Sequence, residues 1–214
     1  MTTENRMRRA PQQARGQRRV AIILEAAAQV FAEVGYEAAT TNAIAIRANT
    51  SIGSLYQFFP NKLAILNALA NQHQTKLNTF LTQLSKEDGA TLQAQISHMI
   101  DRVAEYYAAN PAFQPMFYMS QSSKELALVA NQTGELLMNY ISRLLRDLLP
   151  TLEREESDLY ATVIVYMMRA LIPVSELDYE PRRERVIPQL KRMIFAYLAA
   201  SEGFRGQVFT LEDE

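Results

Sequence analysis

From Arg18 to Val34 apolar side chains recur at Val20, Leu24, Ala27, Phe31 and Val34, the spacing that turns one face of an α-helix toward a core. Gly35 follows as a residue able to end that helix in a left-handed conformation. The next run is shorter. Ala43 to Ala48 favours helix, Thr40 or Thr41 offers a hydroxyl to cap its start, and Asn49-Thr50 interrupts it. Ser51 restarts the chain as the N-cap of a second short helix reaching to about Phe59. A longer stripe, Leu66, Leu69, His73, Leu77, Phe80 and Leu84, predicts a helix capped by Asn61 after Pro60 and running to about Leu84. Ser85 to Gly89 breaks it. Amphipathic segments then recur at about Thr91 to Ala109, Pro111 to Met119, Lys124 to Leu149, Glu155 to Leu171 and Pro181 to Ser201, punctuated by Pro111, Pro115, Pro150 and Pro173. β-Branched residues are scattered through these helical patterns, so the expected fold class is all-α, a helical bundle.

The stretch Thr41 to Lys62, TNAIAIRANTSIGSLYQFFPNK, reads as two short helices joined by a tight turn. This is helix-turn-helix spacing, in which one face of the second helix is buried and the other meets the DNA major groove. Ile44, Ala48, Leu55 and Phe59 fall on the inward spacing, and Ala45 is small where the helices cross. Thr41, Asn42, Ser51, Ser54, Tyr56 and Gln57 are polar and have no evident partner in a small domain. They form either a solvated face or a DNA-facing one.

From Arg18 to about Leu69 the chain resembles the amino-terminal DNA-binding domain of the TetR family of transcriptional regulators. The residues that carry the likeness are Ile23-Leu24 with Ala26-Ala27 and Phe31, Gly35-Tyr36, Thr40-Thr41, Ile44-Ala45, Ala48 and the run SIGSLYQFFPNK ending at Lys62. One departure is Asn49-Thr50, where the family often has Gly followed by a small apolar residue. Asn tolerates the left-handed conformation, so the turn is kept.

The resemblance implies roles residue by residue. Thr41, Tyr56 and Lys62 sit where the family contacts phosphate. Asn42, Ser54 and Gln57 sit where base edges are read, Asn and Gln suiting adenine. Ile52 is placed to meet a thymine methyl. Gly53, beside the N-cap Ser51, lets the backbone approach the groove at a helix-propensity cost of roughly 1 kcal/mol. The resemblance also implies a larger helical effector-binding and dimerisation domain, with the fourth helix transmitting its signal and the last two helices pairing with those of a second copy. A homodimer sets two reading helices on successive major-groove turns, about 34 Å apart, and demands a double-stranded operator with an inverted repeat. The domain division expected on this basis is 1–17 as a flexible basic arm, 18–62 as the helix-turn-helix domain and 63–214 as the effector-binding and dimerisation domain.

Composition narrows the alternatives. The 214 residues are 48% hydrophobic and 21% charged, ordinary for a globular protein and long enough for a sizeable core. Cysteine is absent, which removes disulfides, thiolate metal sites and cysteine nucleophiles. No window approaches 18 consecutive apolar residues, so no membrane partner and a cytoplasmic location are expected. The net charge is −1, yet residues 1–62 hold eight Arg and Lys against four Glu, leaving an acidic remainder. A basic end suits phosphate, although an arginine-rich tail is also common as plain solvated chain.

The second domain offers a concentration of aromatic and thioether side chains at Tyr106-Tyr107, Phe113, Met116, Phe117, Tyr118 and Met119, suited to an adaptable apolar pocket for a small-molecule effector. Met138, Tyr140, Tyr166 and Met167 are candidates to face the same space, with plain core packing as the alternative for each. Arg169 interrupts the apolar run VIVYMMRALI, where it would pair with an acidic residue, bind an anionic ligand group or lie at a subunit interface. His98, Asp101, Arg102 and Glu105 share a helical spacing that fits surface ion pairs better than a metal site. No Ser/His/acid set and no glycine-rich phosphate loop is present, so neither an enzyme nor a cofactor is expected. Two readings remain: a ligand-responsive regulator, as a repressor, or a constitutive DNA-binding protein whose helical body only dimerises.

Overall fold

The computed structural model describes residues 14–84, 91–110, 124–175, 180–207 and 209. Among these the regular elements are all helical, as expected: α1 (Ala14–Ala38), α2 (Thr41–Arg47), α3 (Ile52–Phe58), α4 (Lys62–Leu84), α5 (Leu92–Ala109), α6 (Lys124–Leu148), α7 (Arg154–Ser175) and α8 (Glu180–Ala199), followed by a 3-10 turn at Glu202–Phe204. The expected segment at Pro111 to Met119 lies outside the described residues.

Local side chains set several boundaries. The Thr40 hydroxyl accepts from the Ala43 amide at 3.1 Å to start α2, and Ser51 accepts from the Ser54 amide at 3.1 Å to start α3. Asn61 Oδ1 accepts from the Ala64 amide at 2.8 Å and starts α4. Each satisfies a backbone N–H that the helix itself leaves without an acceptor. Asn49, between α2 and α3, adopts φ 47°, the left-handed conformation that Asn visits at little cost.

α1 departs from expectation at both ends. It begins at Ala14, so the last residues of the expected arm are helical. At its far end Gly35 has φ 78° and ψ 161°, a region open essentially to glycine, and a final turn to Ala38 follows. Val34, expected to face inward, is 53% exposed. The break at Gly35 redirects the chain, and Tyr36 closes against Phe31 instead, ring centroids 5.5 Å apart.

The chain forms two compact units. The first contains residues 14–76 and 124–133 of those described. Its core joins Ile23, Ala27 and Phe31 of α1, Ile44 and Ala45 of α2, Leu55 of α3, and Ile65, Leu66 and Leu69 of α4. His73 of α4 is buried, and burial, with Lys76 a smaller cause, pushes its pKa down to about 4. The unfolded chain takes up a proton on this imidazole below about pH 6.5, whereas the native state resists it until about pH 4. Stability is therefore expected to be undiminished above that window and to fall as the pH drops through it. Urea titrations of wild type and His73→Gln at pH 7 and pH 5 check this, since the variant should lose less on acidification.

The second unit holds the remainder. Val165 and Met168 of α7 and Leu190, Ile194 and Leu198 of α8 are buried in this chain. Much of the apolar surface of these two helices is thus used in packing within the chain. Leu159 and Tyr166 of α7 and Met193 of α8 stay open, at 59%, 55% and 48% exposure. Asp101 of α5 pairs with Lys191 of α8 at 2.7 Å, and Arg102 pairs with Glu105 at 2.7 Å. The 3-10 turn buries Phe204 against Tyr160, centroids 5.2 Å apart. A Cβ on the adjacent Gly203 would stand 2.7 Å from Leu152 Cδ1, so glycine permits the close approach.

Candidate nucleic-acid interface

α3 divides its residues sharply. Leu55 is fully buried and anchors the helix, whereas Gly53, Tyr56 and Gln57 are exposed and Ile52 and Ser54 are half-buried. On α2, Asn42 is exposed and Thr41 half-buried, while Ile44 and Ala45 enter the core. The Thr41 hydroxyl and the Tyr56 phenol are 3.1 Å apart, so the two short helices bring two hydroxyls to one place. A Cβ built on Gly53 meets nothing within 4 Å, consistent with open space at the start of α3. Ser51 Oγ is engaged as the α3 cap.

Lys62 is placed differently from the others. Its ammonium donates to the carbonyl oxygens of Tyr36 at 2.5 Å and Glu37 at 3.0 Å. The reading helices are also braced by charged side chains of α1 and α2. Arg47 of α2 makes two hydrogen bonds to the Glu33 carboxylate of α1, at 2.8 and 2.6 Å, and a third to Gln29 Oε1 at 3.4 Å. The hydrogen bond from Arg47 holds the Glu33 carboxyl below its usual range. Arg47, one of the cations of the basic end, is thus matched by an acid. Arg19 of α1 donates to Thr50 Oγ1 at 3.3 Å, which puts a cation beside the turn leading into α3. The lone signal for either was a charged residue on a helix, which does not name its partner.

The residues expected to bind an effector fall into separate groups. Tyr106 packs on Phe80 and Tyr107, with centroids at 4.8 and 5.5 Å, and burial pushes its phenol up to about 12. Met138, Tyr166 and Arg169 come together on α6 and α7. The Thr162 hydroxyl approaches Met138 Sδ at 3.8 Å, and the Arg169 guanidinium carbon lies 5.5 Å from the Tyr166 ring centroid. A Cβ on Gly134 of α6 would stand in ordinary contact with Arg169 Nη1 at 3.4 Å and Met138 Cε at 3.5 Å, so this position of α6 borders the same cluster. Phe113, Met116 and Phe117 lie outside the described residues.

Comparison with known proteins decides the family. Residues 23–69 match the model of bacterial regulatory proteins of the tetR family, and residues 91–198, half of the chain, match the tetracyclin repressor-like C-terminal domain. The chain belongs to the TetR family. The tetR-family match at residues 23–69 covers the helix-turn-helix of α2 and α3. It is 39% identical to the HTH-type transcriptional regulator YvkB of Bacillus subtilis over 61 residues, 28% of this chain and 32% of that protein. It is 29% identical to the HTH-type transcriptional repressor KstR of Mycobacterium tuberculosis over 89 residues, 42% of this chain and 40% of that one. The matched stretches thus span less than half of each of these two relatives. The solved structure of the transcriptional regulator FadR from Bacillus subtilis in complex with stearoyl-CoA shares the TetR-family fold, with a TM-score of 0.67 at 20% identity over 81% of this chain and 96% of that one. No helix among the described residues is long and apolar enough to cross a membrane.

Proposed function

We propose that this protein is a cytoplasmic, ligand-responsive repressor that binds an inverted-repeat operator as a homodimer and is released by a small apolar or aromatic effector. The observation that carries the DNA side is the Thr41–Tyr56 hydroxyl pair, 3.1 Å apart beside the exposed face of α3. Two O–H groups that close together bind one phosphate oxygen well, each hydrogen bond to a charged acceptor contributing about 1.5–3 kcal/mol. Asn42, Ser54 and Gln57 then read base edges, Ile52 meets a thymine methyl, and the exposed Gly53 beside Ser51 lets the backbone come close. In this reading α1 to α3 and the first turns of α4 form the reading domain, and the later helices belong to the regulatory body.

The body supports the remaining roles. Leu159, Tyr166 and Met193 are large apolar side chains left open on α7 and α8, which suits pairing with a second copy. Tyr106 in one group and Met138, Tyr166 and Arg169 in another offer apolar side chains and a cation, the chemistry that an acyl or aromatic effector with an anionic end would use. An effector acts by binding the DNA-incompetent state more tightly, and a coupling of roughly 1–3 kcal/mol changes operator affinity 5- to 150-fold.

Selection of bound duplexes from a random pool tests the proposal, since a dimer should recover an inverted repeat. On that operator Tyr56→Phe should weaken binding roughly tenfold or more for every sequence alike. Gln57→Ala should relax preference at one base pair, by about 1–3 kcal/mol. If Gln57→Ala selected the same operator as wild type, Gln57 would not be a base reader. For the effector, stearoyl-CoA is the first probe. Release requires that the ligand raise the melting temperature and weaken operator binding together, and stabilisation without loss of DNA would count against it.

A further inference from the structure

Lys62 opens α4, but its ammonium points back into the protein. The nitrogen lies 2.5 Å from the Tyr36 carbonyl oxygen, 3.0 Å from the Glu37 carbonyl oxygen and 4.4 Å from the centroid of the Tyr36 ring. All three partners attract a cation. Carbonyls at the C-terminal end of a helix carry the negative end of its dipole and lack intrahelical donors, and a ring face is electron-rich. An ammonium has three N–H donors, and two are committed to these carbonyls.

Both sides of this contact are themselves fixed. Tyr36 is buried and packs on Phe31, immediately after Gly35 has ended the main run of α1. Asn61 caps α4 through the Ala64 amide, which sets the first turn around Lys62. Beyond Glu37 the chain passes through Ala39, whose amide donates to the Gly35 carbonyl at 3.2 Å, to Thr40, the cap of α2. Thr41 and its hydroxyl partner Tyr56 follow directly.

We propose that Lys62 is a positioning residue: it latches the first turn of α4 onto the corner between α1 and α2, and so holds the Thr41–Tyr56 pair in register with the operator, without itself contacting phosphate. This rests on the DNA-binding reading above. A displacement of the start of α4 pulls on the carbonyls of Tyr36 and Glu37, and through them on the cap of α2. The latch is thus the point at which movement of α4 becomes misalignment of the reading head.

The test uses the full chain and the Lys62→Met variant, which keeps the aliphatic stem over Tyr36 but removes the donors. Binding is measured across a range of salt concentrations to the selected operator and to a random-sequence duplex. The latch predicts operator affinity about tenfold lower, random-duplex affinity within about twofold of wild type, and an unchanged slope against log salt. Lys62→Arg, whose donors reach the same carbonyls, should restore operator affinity. Equal loss on both duplexes with a slope smaller by about one is the signature of a lost phosphate contact and would overturn the proposal. In the DNA-free protein, hydrogen exchange at the amides of Ala39 and Ile44 should quicken by about tenfold in Lys62→Met. Unchanged exchange would also overturn the latch, and this readout decides even if wild type selects no operator, an outcome that would instead sink the DNA-binding reading.

Discussion

Leu55→Ala is expected to destabilise the first unit by about 2–5 kcal/mol and to abolish operator binding near its lowered melting temperature. Leu55 is the one residue within α3 that is fully buried, packed in the cluster that includes Ile44, Ala45 and Ile65. A seven-residue helix has little stability of its own, so its position depends on this side chain and on the buried Phe59 that follows it. Removing the isobutyl group loses its transfer energy and leaves a cavity in a core already crowded with small alanines that cannot expand to fill it. Urea unfolding gives the stability change. Gln57→Ala, on the exposed side of the same helix, is the control and should stay within about 0.5 kcal/mol of wild type. A loss below 1 kcal/mol at Leu55 would mean that α3 is held chiefly by something else.

Phe204→Ala should cost about 3–5 kcal/mol, in the second unit. The ring is 1% exposed and lies 5.2 Å from that of Tyr160 and 6.1 Å from that of Phe209, centroid to centroid. Tyr160 also stands within 3.4 Å of the Gly203 amide through its hydroxyl, so the turn is attached by backbone as well as by ring. The expected observation is a lower unfolding midpoint with an increased exchange rate for amides of the 3-10 turn and the start of α7. If the midpoint fell but those amides kept wild-type protection, the ring would be stabilising some other part of the unit.

Features decided by neighbours in sequence were legible before the structure. Ser51 and Asn61 cap the helices they were expected to cap, Thr40 starts α2, and Asn49 takes up the left-handed turn. Each depends on a side chain within a few residues of the backbone group it satisfies. Val34 failed for the same kind of reason seen from the other side: its helical spacing was right, but Gly35 redirected the backbone before the stripe could be completed. What could not be read was pairing between distant segments. Lys62 is positively charged and opens α4 near the expected DNA face, and only the fold shows its nitrogen on the carbonyls of Tyr36 and Glu37. Likewise Leu190, Ile194 and Leu198 formed a plain apolar stripe, with no mark to say that the chain itself would cover it. Phe204 follows the last helix among polar and glycine residues, and only the fold shows that it enters a core.

Ile46 is 80% exposed on α2, although its neighbours Ile44 and Ala45 are buried. Because the chain has no cysteine, Ile46→Cys would introduce a single thiol at a position where little packing is at stake. A spin label attached there would report from the reading head against no background signal. In a homodimer that one substitution supplies two labels, so a pulsed electron-resonance distance distribution becomes a ruler between the heads, usable with operator, with effector and with neither.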